Sequence, residues 1–385
     1  MIHDIQITGG NVFNSETGQF EKCDIFISNG LFAAYKNGDT ARNIINASNK
    51  AVIPGLIDEH LHIDINGSMI GANADTVCIP NGITSCCDGG TCGVSNFPQF
   101  YNSNLIRYEA HCYSFLNIST FGNKSLCIHN ENHDPADFRE DLIENTFRKY
   151  HDVIRGLKVR MCKATLENYG MSPLYKAIEI SEHLQRKNIR CPVIVHYDDL
   201  PDNVTVKEIF DAMRAGDTVA HIFQTHGETI FLEDSKINPS VIEAQKRGVY
   251  IDDCHGRVHW SIPNLKQAHK LGFKPDIISS DTVRISEYVH PGFSLLYAMT
   301  IQSACGMSTE DILQCVTINP ARALGIEDRA GKIESGKPAD ITILDIADMK
   351  GDVKDNWGNV TKGNKIFIPL LTMISGRVAY RQIYF

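Results

Sequence analysis

The sequence predicts an α/β fold: a (β/α)8 TIM-like barrel joined to a small β-sandwich built from both chain ends. Three observations carry this. Eight apolar, strand-like runs alternate with helix-like segments through the middle of the chain, the pattern of a parallel sheet wound with helices. Short strands punctuated by glycine turns occupy the two ends. At 385 residues the chain exceeds a typical barrel of about 250, which leaves room for one small further domain. The expected division is 1–52 plus 336–385 for the sandwich and 53–335 for the barrel.

In order, Ile5-Gln6-Ile7, Val12-Phe13 and Asp24-Ile25-Phe26-Ile27 read as short strands, with Gly9-Gly10-Asn11 and Ser28-Asn29-Gly30 as turns. The barrel then starts at Val52-Ile53-Pro54-Gly55-Leu56-Ile57-Asp58-Glu59-His60-Leu61-His62. The next seven strands are the runs ending at Asp88, Leu116, Val159, His196, Ile222, Asp252 and Asp281. Between them, Ser172-Pro173 supplies a cap and a first-turn proline, Thr205-Val206-Lys207-Glu208 a capping box, and Asn238-Pro239 another helix start. Asp340–Asp345 and Met373–Tyr380 return to strand character and should join the N-terminal strands in one sheet-on-sheet domain.

Composition excludes several classes of partner. There are 37 Lys+Arg against 46 Asp+Glu, for a net charge of −9, and no basic run, which argues against nucleic acid or an anionic membrane surface. No uninterrupted apolar stretch is long enough to span a bilayer, and Met1–Gln6 does not open a secretion signal, so a cytoplasmic protein is expected. Twelve cysteines sit mostly inside apolar runs and read as free thiols. A small-molecule substrate is the expected partner, and homo-oligomer formation is left open.

Chemistry enters at the strand ends. His60 and His62 are two apart on a strand, so their side chains share a face and can reach one metal ion; a solvated polar face is the competing reading. Lys158, in Gly156-Leu157-Lys158-Val159, places an ammonium in a barrel strand, where it needs a partner or a chemical change. His196 and His221 end consecutive strands, with His226 the alternative to His221 and Lys163 the alternative to Lys158. Asp281 ends the eighth strand, where it could equally cap a helix.

The run Pro54-Gly55-Leu56-Ile57-Asp58-Glu59-His60-Leu61-His62 resembles the entry motif of the amidohydrolase superfamily of metal-dependent hydrolases. Thr317–Gly325 and Gly331–Asp340 resemble its closing signature. The resemblance implies that His60, His62, Lys158, His196, His221 and Asp281 bind two divalent metal ions. Zinc suits these ligands, and Lys158 would be carboxylated to bridge the pair. It also implies that Asp281 accepts the proton of the attacking water.

Dihydroorotases of this superfamily usually carry an arginine two residues after the second histidine; here Asp64 stands there. Cys86–Gly93, Gly156–Met161 and Cys254-His255-Gly256 instead resemble the amidohydrolase/deacetylase subgroup. That implies hydrolysis of an amide or ester, acetyl first among acyl groups, on a small carboxylate-bearing substrate. Arg160, His255, Arg284, Tyr288 and His290 are the expected substrate contacts. The alternatives are a cyclic amidohydrolase, a metal-dependent lyase or isomerase, and a non-catalytic binding relative.

Overall fold

A computed structural model of the chain describes residues 1–166, 168–287, 289 and 294–385. Seven parallel strands form one sheet in sequence order: Leu56–Leu61, Ile83–Asp88, His111–Asn117, Ile154–Met161, Val193–Tyr197, Thr218–Ala220 and Tyr250–Ile251. Nearly all of their residues are buried, polar ones such as Asp58, Glu59 and Lys158 included, as expected of a parallel sheet covered on both faces.

The segment expected as the eighth strand closes the barrel without forming a continuous ladder. It bridges the seventh strand at Asp252 and Ile277 and the first at Leu61 and Thr282. The reason is local. Ser280 N–H donates to the Asp58 carboxylate at 3.0 Å, and Ile278 N–H donates to Cys315 O at 3.1 Å, so backbone donors are taken by groups outside the sheet. Asp281 N–H still donates to His60 O at 2.7 Å and His62 N–H to Thr282 O at 2.9 Å, which ties the ends of the first and last strands together.

The helices follow their start signals with one change. Thr205 and Glu208 make the reciprocal capping box, and Asn238 caps Pro239–Lys246. Ser172, read as a cap, is instead the first residue of the helix Ser172–Arg186; Met171 holds the cap position without a side-chain bond. That helix buries Leu174, Ala177, Ile180, Ser181 and Leu184, one face at helical spacing.

The chain ends form two sheets. One holds Leu31–Ala33, Ile25–Ser28, Ile2–Thr8 and Thr40–Asn46; the other holds Arg377–Arg381, Lys365–Ile374, Ile341–Asp348, Ala51–Pro54, Asn11–Asn14 and Gln19–Lys22. They share a core of Ile7, Ile27, Phe32, Val52, Ile341, Leu371 and Met373. Strand Ala51–Pro54 joins the two units, because Val52 faces the sandwich core while Ala51 and Ile53 face the barrel core.

One piece of the C-terminal region leaves the sandwich. The hairpin Asp352–Lys354 and Val360–Lys362 lies against the barrel mouth, where Trp357 Nε1–H donates to Trp260 O at 2.9 Å and the Tyr297 hydroxyl donates to Lys354 O at 2.8 Å. All twelve cysteines are free thiols, ten of them buried. Among the described residues no helix is long and apolar enough to cross a membrane.

Candidate metal centre

The first barrel strand delivers His60 and His62 to its C-terminal end. Thr91 donates its hydroxyl hydrogen to Asp88 Oδ2 at 2.8 Å, so it accepts from His62 Nδ1 at 2.7 Å. That fixes the ring and aims Nε2 at the other donors, 3.4 Å from Asp281 Oδ1. His60 Nε2 stands 3.2 Å from Lys158 Nζ and 4.0 Å from Asp281 Oδ1. The glycines after the second strand make this approach possible: a Cβ at Gly89 would lie 2.2 Å from the His60 ring, and one at Gly90 2.5 Å from Lys158 Cβ.

The fifth and sixth strands bring the other imidazoles. His196 and His221 have ring centroids 4.3 Å apart, and the His221 ring is 5.5 Å from that of His60. His221 Nδ1 donates to Cys254 O at 2.8 Å, which turns Nε2 inward. Burial pushes His60, His196 and His221 well below the ordinary imidazole range, and neighbouring cations add to the effect. All three are therefore neutral and offer lone pairs.

Burial alone would raise Asp281, but His259 and His62 hold it well below the usual carboxylate range, so it is ionised. Burial also lowers Lys158, which has no carboxylate partner among the described residues. His60 Nδ1 and His196 Nε2 are buried without a hydrogen-bond partner. Neutral imidazoles, one ionised carboxylate and orphaned ring nitrogens converging at a barrel mouth form a donor set that fits divalent cations. Donor atoms of His60, His62 and Asp281 lie within 4.8 Å of one another, as do those of His221, His259 and Asp281 and those of His196, Asp198 and His259.

A cavity of about 560 Å³ opens over this cluster. His62, Lys158, His196, His259 and Asp281 lie in its wall; Ile70, Leu126, Val283, Ile285 and Trp357 make it apolar, and Arg160 and Arg257 bring charge.

The loops depart from the sequence reading. His255 does not line the cavity: its ring packs on Trp260 with centroids 3.8 Å apart, and its Nδ1 lies 3.3 Å from Asp253 Oδ2. His259 takes the facing position instead, 3.5 Å from both Asp198 Oδ2 and Asp281 Oδ2. Arg284 is exposed on a 3-10 turn while its neighbours Val283 and Ile285 line the wall. Arg160 does line the cavity, but its guanidinium is 3.1 Å from the buried Glu131 carboxylate. Tyr288 and His290 lie outside the described residues.

Of the alternatives, Lys163 is exposed on a short helix beyond the fourth strand, and His226 pairs with Asp198 at 2.9 Å but belongs to none of the converging donor groups. The sequence reading missed His259, Asp198, Glu131, Arg257 and Trp357. Only the recurrence of histidine at 255 and 259 gave any sign of the first.

The amidohydrolase family profile matches residues 51–379. A deacetylase of Enterococcus faecalis is 26% identical over 328 residues, covering 85% of this chain and 86% of its own. A deacetylase of Agrobacterium fabrum is 26% identical over 346 residues, covering 90% and 82%. Among solved structures, an adenine deaminase superposes with a TM-score of 0.89 at 25% identity over 99% of this chain and all of its own. A dihydroorotase shares the fold with a TM-score of 0.85 at 24% identity, covering 98% of each chain.

Proposed function

This chain belongs to the amidohydrolase family, and from that premise we propose that it hydrolyses an amide or ester, releasing an acyl group, acetyl first among candidates, from a small carboxylate-bearing molecule. The observation that carries the reading is Lys158, a buried lysine without a carboxylate partner set 3.2 Å from a neutral histidine. Its lowered pKa favours the free amine, the form that adds carbon dioxide to give a carbamate. His60, His62, His196, His221, Asp281 and carboxylated Lys158 would hold two divalent ions, zinc being well suited to these ligands. When bound, the ions would polarise the scissile carbonyl and make the attacking water more acidic.

The chain's own residues do the rest. Asp281, ionised and aimed into the cavity, accepts a proton from the attacking water and delivers it to the leaving nitrogen or oxygen as the acyl C–N or C–O bond breaks. The products are a carboxylic acid and an amine or alcohol. Asp64, in the position where a cyclic-substrate arginine would stand, accepts from Gly67 N–H at 3.0 Å and from the Cys92 thiol at 3.3 Å, outside the cavity wall. The deacetylase relatives support a linear acyl substrate. A panel of N-acetyl amino acids, O-acetylated hydroxy acids, dihydroorotate, hydantoin and adenine tests the reading. Turnover of an acylated acid is expected; rapid turnover of a ring compound with none of the acylated acids overturns it.

A further inference from the structure

The charges around the cavity are unevenly spent. Lys158 sits on the floor beside His60. Arg160, the obvious anchor for a substrate carboxylate, is already matched: Glu131 Oε2 is 3.1 Å from its Nη1, and that carboxylate is buried and held ionised despite its burial by Arg160 and His133. A guanidinium neutralised in place has little net charge left to offer a second carboxylate.

Arg257 is different. It lines the same cavity near the mouth, is exposed, and has no ion-pair partner among the described residues. Its backbone is fixed on both sides. Gly256 N–H donates to Ser280 O at 3.1 Å, the Trp260 indole donates to Gly256 O at 3.2 Å, and the Asn356 side chain donates to Arg257 O. Two residues further on, His259 touches Asp281. One short loop thus spans from the proposed proton-transfer group to an unpaired cation, with Leu126, Ile285 and Trp357 supplying an apolar wall to the cavity they share.

We propose that Arg257, not Arg160, is the residue that anchors the carboxylate of the substrate's leaving portion, and that the enzyme selects acylated small acids with an apolar body through it. This rests on the deacylase reading above and names its specificity-determining residue. A guanidinium–carboxylate pair at a fixed position fixes the leaving portion at the mouth and the acyl carbonyl over the floor. A neutral substrate lacks that anchor.

The test uses the metal-loaded full chain and a matched pair, N-acetyl-leucine and N-acetyl-leucinamide, as both substrates and titrants. Arg257→Gln should raise KM for the acid about 10- to 100-fold, change the amide's KM far less, and so erase the preference for the acid. Arg257→Lys should recover part of it. Calorimetric titration separates this inference from the deacylase reading. If neither compound is hydrolysed, weaker binding of the acid to Arg257→Gln than to wild type still supports the anchor, and equal binding overturns it. An unchanged KM for the acid in Arg257→Gln, with turnover intact, overturns the inference and leaves deacylation standing.

Discussion

Asp355 is the keystone of the hairpin that roofs the cavity, and replacing it should release that roof. The carboxylate is 4% exposed and accepts four N–H groups: Ile262 N at 3.0 Å, Trp357 N at 2.9 Å, and Asn359 N and Nδ2 at 2.8 Å each. Hydrogen bonds to a charged group are worth about 1.5–3 kcal/mol each, so a plain sum would reach about 6–12 kcal/mol. That sum overshoots, because the three donors on the hairpin can turn to water once it lifts. Ile262 N–H, in the first turn of the helix Ile262–Lys270, is the one lodged in a buried contact. Asp355→Ala should therefore cost about 2–4 kcal/mol, and Asp355→Asn less, since one oxygen remains for Ile262.

Urea unfolding measures the loss, and the chain's two tryptophans report its location. Trp260 is buried, and its carbonyl accepts from the Trp357 indole. Emission should shift modestly to the red in the native alanine variant, as Trp357, already 45% exposed, loses its remaining contacts and Trp260 loses its indole partner. KM should rise as well, because Asn356 and Trp357 leave the cavity wall. A loss under about 1 kcal/mol with unchanged emission would refute the keystone argument.

Lys158→Ala should reduce bound metal, measured by elemental analysis after preparation with bicarbonate, from about two ions per chain, and activity should fall with it. Asp281→Asn should keep the fold by circular dichroism while lowering kcat about 10²- to 10⁴-fold. In metal-free protein, burial disfavours charged His259, but Asp198 and Asp281 on either side prevail and raise it from 6.5 to about 9. Its stabilisation is thus complete below pH 6.5 and disappears as pH rises through about 9. Urea midpoints of chelator-treated protein should fall across that interval, and His259→Gln should flatten the slope.

What could be read from the sequence was whatever interrupts a regular pattern. Lys158 stands out because it breaks an apolar strand run, and His60, His62, His196, His221 and Asp281 because they stand where such runs end; the strands fix where such residues point. The sandwich was legible for the same reason, from short alternating strands with Asn-Gly and Ser-Gly turns at 29–30 and 375–376. Loops have no such period. His255 and Arg284 were placed in the cavity by nearness to a strand end, yet the loop path turns one onto Trp260 and the other to solvent. Glu131 reaches Arg160 from 29 residues away, and Asn356 reaches the Arg257 carbonyl from 99 residues away. Neither pairing leaves a mark in local sequence.

The backbone of the barrel mouth shows a second hidden feature. Among the described residues nine non-glycine residues have positive φ, and five of them, Asn29, Asn49, Asn188, Ser235 and Ser375, are small polar residues outside the barrel strands. The other four lie just past the fifth, sixth, seventh and eighth barrel strands: Asp199 at 30°, His221 at 67°, Cys254 at 37° and Asp281 at 47°. A left-handed residue of this kind costs on the order of 1 kcal/mol or more, which glycine would avoid. Glycine would also remove the His221 imidazole and the Asp281 carboxylate from the cluster. The strain persists because the surrounding bonds over-determine it: His221 Nδ1 donates to Cys254 O at 2.8 Å, and Asp281 N–H to His60 O at 2.7 Å. Each left-handed residue turns the chain sharply as its strand ends, which separates these ends from the surface turns where asparagine and serine relieve the same geometry cheaply. Two of the four, His221 and Asp281, belong to the candidate metal centre, so the strain falls at the end of the barrel where the donors converge, the kind of place where strained backbone gathers when a site needs a particular side chain.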